Sequence, residues 1–392
     1  MPFEVDVFIN SRFPDDKASA IQAVRVAEAF ARAGAKTTFF YRGGAMSRSD
    51  WRETYGVTPT FHPRRYPGLY LGGHRVPLVN DAVARAAFAG KVLRDLDRPD
   101  PRILYGRHPG GFPIGFFLAL RRRLPRRGQL VVCEAHEGKD WAGPALGHAD
   151  VVVAISEGVK RDLRAAGIPE ERIVVAHDGV DLAAYEALRG TPKSALRQQL
   201  GLPTHGPLAV FTGHLYPDRG ADTVIAALDD LPGLTALFVG GRPEDRARVR
   251  QAVVTARLED RVLFVEARPP REIPRYQMAG DVLLIPYSAR LATRAWCSPM
   301  KLFEYMAAGV PIVASDFPVF HEVAQDDREI LYVRPDDAGA LATAMARVVA
   351  DRSVADRLAR LALERVREYD WERRARRILE FCRARQAAAA HG

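Results

Sequence analysis

The chain has 392 residues, 47% hydrophobic and 27% charged, which is the composition of a globular protein of about two domains. The net charge of +9 suits an anionic ligand, but no nucleic-acid-binding motif accompanies it, so a nucleic-acid partner is not expected. Cys133, Cys297 and Cys382 have no metal-ligand spacing, and neither a signal peptide nor a long apolar run is evident, so we expect a cytoplasmic protein.

Apolar, β-branched runs alternate with stretches of helical period along the chain, which predicts parallel sheets covered by helices on both faces. In the first half the predicted strands are 5–10, 36–42, 102–107, 129–135, 150–156 and 172–179. In the second half they are 208–213, 235–241, 261–267, 281–287, 310–315 and 330–335. The predicted fold class is therefore α/β, with two doubly wound, Rossmann-like domains.

A stretch rich in Gly and Pro, at about 185–206, separates the two sets of strands and predicts the domain connection. We expect an N-terminal domain over 1–185, a C-terminal domain over 186–370, and a terminal helix over 371–392 that packs back across the domains. Ligands of doubly wound sheets bind outside the carboxyl ends of the strands. The residues that follow each strand are therefore the functional candidates.

Three such strand ends carry polar residues. "YGRHPGGF" (105–112) places Arg107 and His108 before a Gly pair, either to contact a ligand or to form a turn. "CEAHEGK" (133–139) contains His136 and Glu137, and a lone His is also common as a packed or capping residue. "EARPPREIP" (266–274) contains Arg268 in what is otherwise a Pro-rich turn.

A further candidate is the helix that begins in "CSPMKLFEYMAAGVPIVAS" (297–315). Ser298 suits the N-cap, Pro299 the first helical position and Gly309 the C-terminal cap. The helix start and Lys301 together favour an anion. Glu304 lies roughly 7 to 8 Å further along the axis, about the distance from a nucleotide's diphosphate to its ribose. The alternative is a simple cap with solvated charges.

"SPMKLFEYMAAGVPIVASDFPVFHEV" resembles the signature segment of retaining glycosyltransferases of family 4, which have the GT-B fold, in the subgroup Ser-Pro-x-Lys-x-x-Glu-Tyr-Met-Ala-x-Gly. "VFTGHLYPDRGADTVIAAL" (210–228) resembles the family's strand, Gly-containing loop and helix start. "CEAHEGK" and "HDGVDL" (177–182) are similar to further family segments, so the resemblance spans nearly the whole chain.

The resemblance implies a GT-B protein whose two domains face each other across a cleft, with the acceptor on the N-terminal side and the donor on the C-terminal side. It implies catalytic roles near the sugar and the leaving diphosphate for His136, Arg219 and Lys301. It implies donor binding by Gly213, His214, Arg268, Ser298, Pro299, Met300 and Glu304, and we expect the acceptor near Arg107, His108 and Glu137.

Two positions depart from the family pattern. Trp296 stands where the broader family has a second Glu that contacts the donor sugar, and His214 stands where an Arg is common. The Trp motivates an alternative function, a non-catalytic nucleotide-sugar sensor or partner subunit. A nicotinamide-dependent dehydrogenase is a weaker alternative, because neither loop carries the Gly-x-Gly-x-x-Gly turn.

The expected function is transfer of a sugar from a nucleotide-diphosphate sugar, of UDP or GDP type, to an acceptor hydroxyl with retention of configuration. We expect no metal and no cofactor, since "DLD" (95–97) is poorly placed as a metal site. The acceptor, whether a saccharide, a lipid-linked or a small molecule, stays open. "RRRLPRR" (121–127) predicts either peripheral contact with anionic lipid at the inner face of the membrane or a solvated helix end.

Overall fold

The computed structural model describes residues 3–15, 18–66, 102–107, 129–137, 146–298 and 300–391. The chain divides into two compact units. Unit 1 contains the described residues of Met1–Asp178, Trp296–Ser298 and Trp371–Gly392, and unit 2 those of Gly179–Ala295 and Pro299–Asp370. This division falls a few residues before the boundary that we predicted at 185.

Unit 1 is built on seven parallel strands with helices between them. In chain order its elements are β1 (Glu4–Phe13), α1 (Ala18–Arg32), β2 (Lys36–Gly43), α2 (Arg48–Tyr55), β3 (His62–Tyr66), β4 (Arg102–Arg107), β5 (Leu130–Ala135), β6 (Val151–Ala154), α3 (Glu157–Ala165) and β7 (Ile173–Val175). The strand order is β3-β2-β1-β4-β5-β6-β7, so the direction of the sheet's winding reverses between β1 and β4.

Unit 2 repeats this plan with six parallel strands. Its elements are α4 (Leu182–Glu186), α5 (Lys193–Leu200), β8 (Leu208–Thr212), α6 (Ala221–Ala227), β9 (Thr235–Val239), α7 (Pro243–Thr255), β10 (Val262–Val265), α8 (Ile273–Met278), β11 (Val282–Ile285), α9 (Met300–Ala308), β12 (Ile312–Ser315), α10 (Pro318–His321), β13 (Leu331–Val333), α11 (Ala338–Ala350) and α12 (Arg352–Val366). The order β10-β9-β8-β11-β12-β13 reverses between β8 and β11.

Each predicted strand is present, several of them shorter than predicted. The prediction missed β3, whose sequence HPRRY has no apolar run. Within the described residues β3 pairs only with β2, at the edge of the sheet, where solvent can cover one side of a strand and a Pro is tolerated. Central strands such as β5 are buried along their whole length, which explains their apolar sequences.

The chain returns to unit 1 through its last helix, α13 (Trp371–His391), which packs against α1. A turn of 3-10 helix at Arg367–Tyr369 separates α13 from α12, close to the break predicted at Tyr369 and Asp370. One face of α13 is buried at helical spacing, and its members are Trp371, Arg374, Ala375, Ile378, Leu379 and Cys382. Arg374 is the charged member of an otherwise apolar stripe.

Gly220 lies between the 3-10 turn Pro217–Arg219 and α6, and its backbone packs closely against another loop of unit 2. Its φ is 78°, and a Cβ added there would overlap the carbonyl oxygen of Pro286. Gly201, after α5, has a φ of 66° with no atom within 4 Å of an added Cβ. Gly201→Ala should cost about 1 to 2 kcal/mol of unfolding free energy. Gly220→Ala should cost roughly 1 to 3 kcal/mol more, because backbone must move.

Urea unfolding followed by circular dichroism measures both losses, and hydrogen exchange of the β8 amides assigns them to unit 2. Equal losses for the two variants would mean that the Pro286 carbonyl moves aside without a loss of stability. Close packing of Gly220 against Pro286 would then not contribute to the stability of unit 2.

Candidate active site

In unit 2 the candidate residues gather outside the carboxyl ends of β8 and β11, where the strand order reverses. This edge is where doubly wound sheets bind ligands. Gly213 follows β8 with a φ of 115°, and a Cβ added to it would lie 3.2 Å from Lys301 Nζ. Glycine at this position therefore permits both the backbone turn and the close approach of the lysine.

Two cations lie against aromatic rings at this edge. Lys301 Nζ, on α9, lies 3.9 Å from the ring centroid of Phe211 and 5.2 Å from that of Tyr287. The guanidinium carbon of Arg219 lies 4.8 Å from the Tyr287 ring. All three distances are within the range of cation–π attraction. The ring of Tyr287 therefore holds two like charges near one another.

Their carboxylate partners are few. The only ion pair of Arg219 within the described residues is to the neighbouring Asp218, with 3.5 Å between Nε and Oδ1. Lys301 forms no salt bridge with any residue that the structure describes. Burial, and then the positive charge of Arg219, lower the pKa of Lys301 to about 7, against a smaller raising effect of Glu304. Because a bound anion would reverse this repulsion, the arrangement favours an anionic ligand.

Glu304 lies one turn further along α9 and is held by a buried amide. Gln277 Nε2, on α8, donates to Glu304 Oε2 at 3.3 Å and to Thr212 Oγ1 at 3.2 Å. The carbonyl oxygen of Gln277 accepts from the Tyr185 hydroxyl at 2.6 Å. Both the oxygen and the nitrogen of the Gln277 side-chain amide therefore have partners. Because the oxygen accepts from Tyr185, the nitrogen must be the atom that faces the Glu304 carboxylate.

The orientation of α9 is set by its buried face. Phe303, Met306, Ala307 and Val310 are buried, as the helical spacing predicted, and Gly309 ends the helix with a φ of 66°. The hydroxyl of Tyr305 accepts from the backbone N–H of Thr212 at 2.9 Å, which ties α9 to the end of β8. Lys301 and Glu304, both partly exposed, lie off this buried face.

The remaining donor-side candidates are dispersed. His214 is exposed and stacks on Tyr216 with 4.9 Å between ring centroids. Arg268 is exposed in the loop after β10. Met300 is the first residue of α9, and Pro299 lies outside the described residues.

Ser298 belongs to unit 1 together with Trp296. The Ser298 hydroxyl accepts a hydrogen bond from the backbone N–H of Asp178 at 2.8 Å, and only 8% of the residue is exposed. Trp296 packs against the apolar core of unit 1, and its carbonyl accepts from the Ser156 hydroxyl at 3.1 Å. The role of Ser298 as a helix N-cap stays a prediction.

In unit 1 the structure brings Arg107 and His136 together at the carboxyl ends of β4 and β5. Arg107 Nη2 lies 3.1 Å from His136 Nδ1. A guanidinium can only donate, so Nδ1 accepts and the ring proton is on Nε2. His136 Nε2 in turn lies 2.6 Å from Glu134 Oε1 and donates to it. Burial, and then Arg107, lower the pKa of His136, which keeps the ring neutral at pH 7.

Both ring nitrogens of His136 therefore have protein partners. A hydrogen bond from its ring N–H to a sugar would require release from Glu134, and that contact stays a prediction. Glu137 is half-buried next to His136, and His108 lies outside the described residues. Arg107 Nη1 is buried and has no hydrogen-bond partner within the described part of the chain.

The sequence reading missed several residues of these two clusters. In unit 2 they are Phe211, Tyr287 and Gln277, and in unit 1 they are Gln22, Tyr105, Asp178 and Arg374. Gln22, Gln277 and Arg374 share one signal, because each is a polar residue on the buried face of a helix. Such residues are rarely left without a partner, and the apolar pattern around them could have singled them out.

No group of three or more His, Cys, Asp or Glu side chains among the described residues could hold a metal ion. No helix within those ranges is long and apolar enough to cross a bilayer. The runs 95–97 and 121–127 lie outside the described residues, as does the Gly pair at 110–111.

Comparison with known protein families identifies both halves of the chain. Residues 19–184 match the model described as Glycosyltransferase Family 4, and residues 206–351 match the model described as Glycosyl transferases group 1. The resemblance to family 4 glycosyltransferases is thereby confirmed at the level of these two domains. The subgroup defined by the Ser-Pro-x-Lys segment stays a prediction.

Similar curated proteins carry the name D-inositol 3-phosphate glycosyltransferase. The protein from Nocardia farcinica is 28% identical over 320 residues, which cover 78% of this chain and 61% of the relative. The protein from Xylanimonas cellulosilytica is 29% identical over 240 residues, which cover 59% of this chain and 56% of the relative. The matched regions thus span less than two thirds of these relatives.

Solved structures share the fold across nearly the whole chain. HepE from Anabaena in complex with UDP and glucose has a TM-score of 0.74 at 17% identity and covers 97% of this chain, with 99% of HepE matched. Sucrose-phosphate synthase from Thermosynechococcus elongatus has a TM-score of 0.76 at 21% identity, covering 99% of this chain and 100% of the synthase. The two Rossmann-like units are those of the GT-B fold, as predicted.

The charge arrangement around Lys301 predicts how its ammonium group titrates. Lys301 should titrate near pH 7. Arg219→Met should raise that pKa because it removes a like charge, and Glu304→Gln should lower it because it removes the nearby anion. NMR of the ¹³C-labelled lysine side chains measures the titration, with Lys36, exposed and paired with Glu4, as an internal reference.

Arg250→Met is the matched control, since Arg250 stacks on Phe264 instead. A Lys301 titration near its ordinary value, about 10.4, or one insensitive to Arg219, would refute the proposed coupling.

Proposed function

This chain carries a Glycosyltransferase Family 4 domain and a Glycosyl transferases group 1 domain, and from that premise we propose a specific reaction. The protein transfers a sugar from a nucleotide-diphosphate sugar to an acceptor hydroxyl, with retention at the anomeric carbon and without a metal ion. One observation carries the proposal. Lys301 and Arg219 place two positive charges at the switch point of unit 2, and the nearby carboxylates only partly balance them.

The donor assignment follows from this charge and its surroundings. A diphosphate carries the negative charge that would relieve the repulsion between Lys301 and Arg219. Glu304, one turn further along α9, can accept hydrogen bonds from both hydroxyls of a ribose. The solved HepE structures contain UDP with glucose, or UDP-glucose, which supports a donor of this chemical class. UDP or GDP is the expected nucleotide, and the acceptor stays open.

The proposed reaction is a front-face substitution at the anomeric carbon. The bond from that carbon to the diphosphate oxygen breaks, and a bond to the acceptor oxygen forms on the same face. The acceptor's proton passes to the departing phosphate, so no separate base is needed. Lys301 and Arg219 stabilise the negative charge that develops on the leaving group, which is the role a metal ion fulfils in other enzymes.

The donor assignment predicts selective stabilisation by one nucleotide. In a thermal-shift panel of UDP, GDP, ADP and dTDP, one diphosphate should stabilise the wild-type protein, by about 2.7 kcal/mol at a hundredfold excess over its Kd. Glu304→Ala should remove most of that gain, because the ribose hydroxyls lose their acceptor.

Glu364→Ala, an exposed change on α12, is the matched control and should respond as the wild type does. Equal stabilisation of the wild type and Glu304→Ala would remove Glu304 from the binding site.

The charge assignment predicts turnover without a metal ion. With the nucleotide sugar identified by the panel, transfer or slow donor hydrolysis should continue unchanged in excess EDTA. Lys301→Met should reduce kcat by roughly 100-fold or more, as loss of a preorganised charge on a leaving group does elsewhere. Release of the nucleotide, measured by chromatography, reports both the effect of EDTA and the loss of kcat in Lys301→Met. Loss of activity in EDTA that Mg²⁺ restores would contradict the metal-independent mechanism, and donor binding with no turnover would favour the sensor alternative.

A further inference from the structure

Glu134, the residue before the end of β5, is a carboxylate with no exposed surface. Four side chains, from α1, β4, α13 and the loop after β5, donate hydrogen bonds to it: Gln22 Nε2 at 2.5 Å, His136 Nε2 at 2.6 Å, Arg374 Nη2 at 2.7 Å and the Tyr105 hydroxyl. Burial alone would raise the pKa of Glu134, but Arg374, His136 and Tyr105 together hold it well below its usual range. Glu134 is therefore an anion at pH 7.

Arg374 is the residue that α13 contributes to this cluster. Its Nη2 donates to Glu134 Oε2, and its Nε donates to the carbonyl of His177 at 2.8 Å and, more weakly, to that of Ala176 at 3.3 Å. The guanidinium therefore ties the end of β7 to the carboxylate on β5. Only 6% of Arg374 is exposed, so its charge acts within a low-dielectric environment.

The cluster pairs two carboxyl groups with two guanidinium groups. The carboxyl groups are those of Glu134 and Asp178, the guanidinium groups those of Arg374 and Arg107, and His136 is neutral. Asp178, buried after β7, accepts from Gln22 Nε2 at 3.1 Å, and burial raises its pKa against the opposing effect of Arg374. Removal of the charge on Arg374 takes away one of the two positive charges. The cluster must then bind a proton more tightly.

We propose that Arg374, on the C-terminal helix, is a positioning residue for the sugar-transfer reaction: through Glu134 it keeps His136 neutral, with the ring proton on Nε2 and Nδ1 free to accept from Arg107. Without Arg374, Glu134 loses the guanidinium that is bonded to it, and the imidazole beside Glu134 binds a proton more tightly. The added proton sits on Nδ1 and points at a guanidinium that can only donate, so the contact with Arg107 is lost. The link to catalysis rests on the proposed function, whereas the link to His136 does not.

The test uses the full-length protein and three variants. Arg374→Gln removes the charge, Arg374→Lys retains it, and Arg376→Gln removes an exposed charge on the same helix, where 60% of the side chain is accessible. Nitrogen-15 NMR of the histidine rings reports tautomer and titration, with His136 assigned by its loss in His136→Gln. We expect Nε2-protonated, neutral His136 in the wild type, in Arg374→Lys and in Arg376→Gln. In Arg374→Gln its pKa should rise by at least about one unit, a tenfold gain in proton affinity.

A second pair of measurements guards against simple unfolding of Arg374→Gln. The double variant Arg374→Gln with Glu134→Gln leaves the net charge of the cluster unchanged, so the shift in His136 titration should largely cancel. Replacing both members of a buried pair is also better tolerated than removing one. Glu134→Gln alone should move the His136 pKa in the opposite direction, downward, which tests the coupling even if Arg374→Gln does not fold.

Activity provides the third readout. In Arg374→Gln the acid limb of the pH profile of kcat should move upward with the His136 pKa, so the loss should grow as the pH falls and approach about tenfold at pH values below both the wild-type and the variant pKa. The KM for the donor should change less than kcat, because Lys301, Arg219 and Glu304 lie in unit 2. A merely structural role would lower activity equally at every pH and leave the His136 titration unmoved, which would overturn the proposal. If the NMR shift occurs in a protein with no transferase activity, the proposed function fails and the control of His136 by Arg374 stands.

Discussion

In a parallel sheet that is covered on both faces, the carboxyl ends of the strands are where a ligand can reach polar side chains. Both units place their polar clusters there. Strands such as β5 and β8 are buried throughout, so most side chains along them serve packing, and Glu134 stands only one residue before the end of β5. Polar function is confined to the carboxyl edge, where backbone loops open and helix starts converge. The Lys301 cluster of unit 2 and the His136 cluster of unit 1 both lie at that edge.

The two clusters differ in how their charges are compensated. In unit 2 two cations are held against aromatic faces with little compensation, so the lysine's pKa falls to about 7 and the site is stabilised by an incoming anion. In unit 1 two carboxyl groups lie with two guanidinium groups, and four protein side chains donate hydrogen bonds to Glu134. The first cluster is arranged to bind charge, and the second to hold one imidazole in a single state.

The sequence was sufficient for the fold because the fold is periodic. Apolar runs and helical spacing predicted the other strands, the buried face of α9 and its glycine cap. The polar edge strand β3 was not predicted, because solvent takes the place of part of its packing and its sequence needs no apolar run. Lys301, Glu304 and Arg219 could be predicted because they lie beside a local motif. The apolar pattern of α13 marks Arg374 as a buried polar residue, but its partner could not be predicted, since Glu134 lies 240 residues away along the chain.

The ion pair between Arg374 and Glu134 is not explained by a gain in stability. A buried ion pair usually contributes little net stability, because desolvation of the two charges offsets their attraction, and an apolar pair of similar volume often does better. The stripe of α13 around Arg374 is otherwise apolar and already packs the helix onto unit 1. Helix docking alone therefore gives no reason for an arginine there. A guanidinium that reaches Glu134, and through it the only ring N–H of His136, supplies the reason: α13 carries a charge that the imidazole requires.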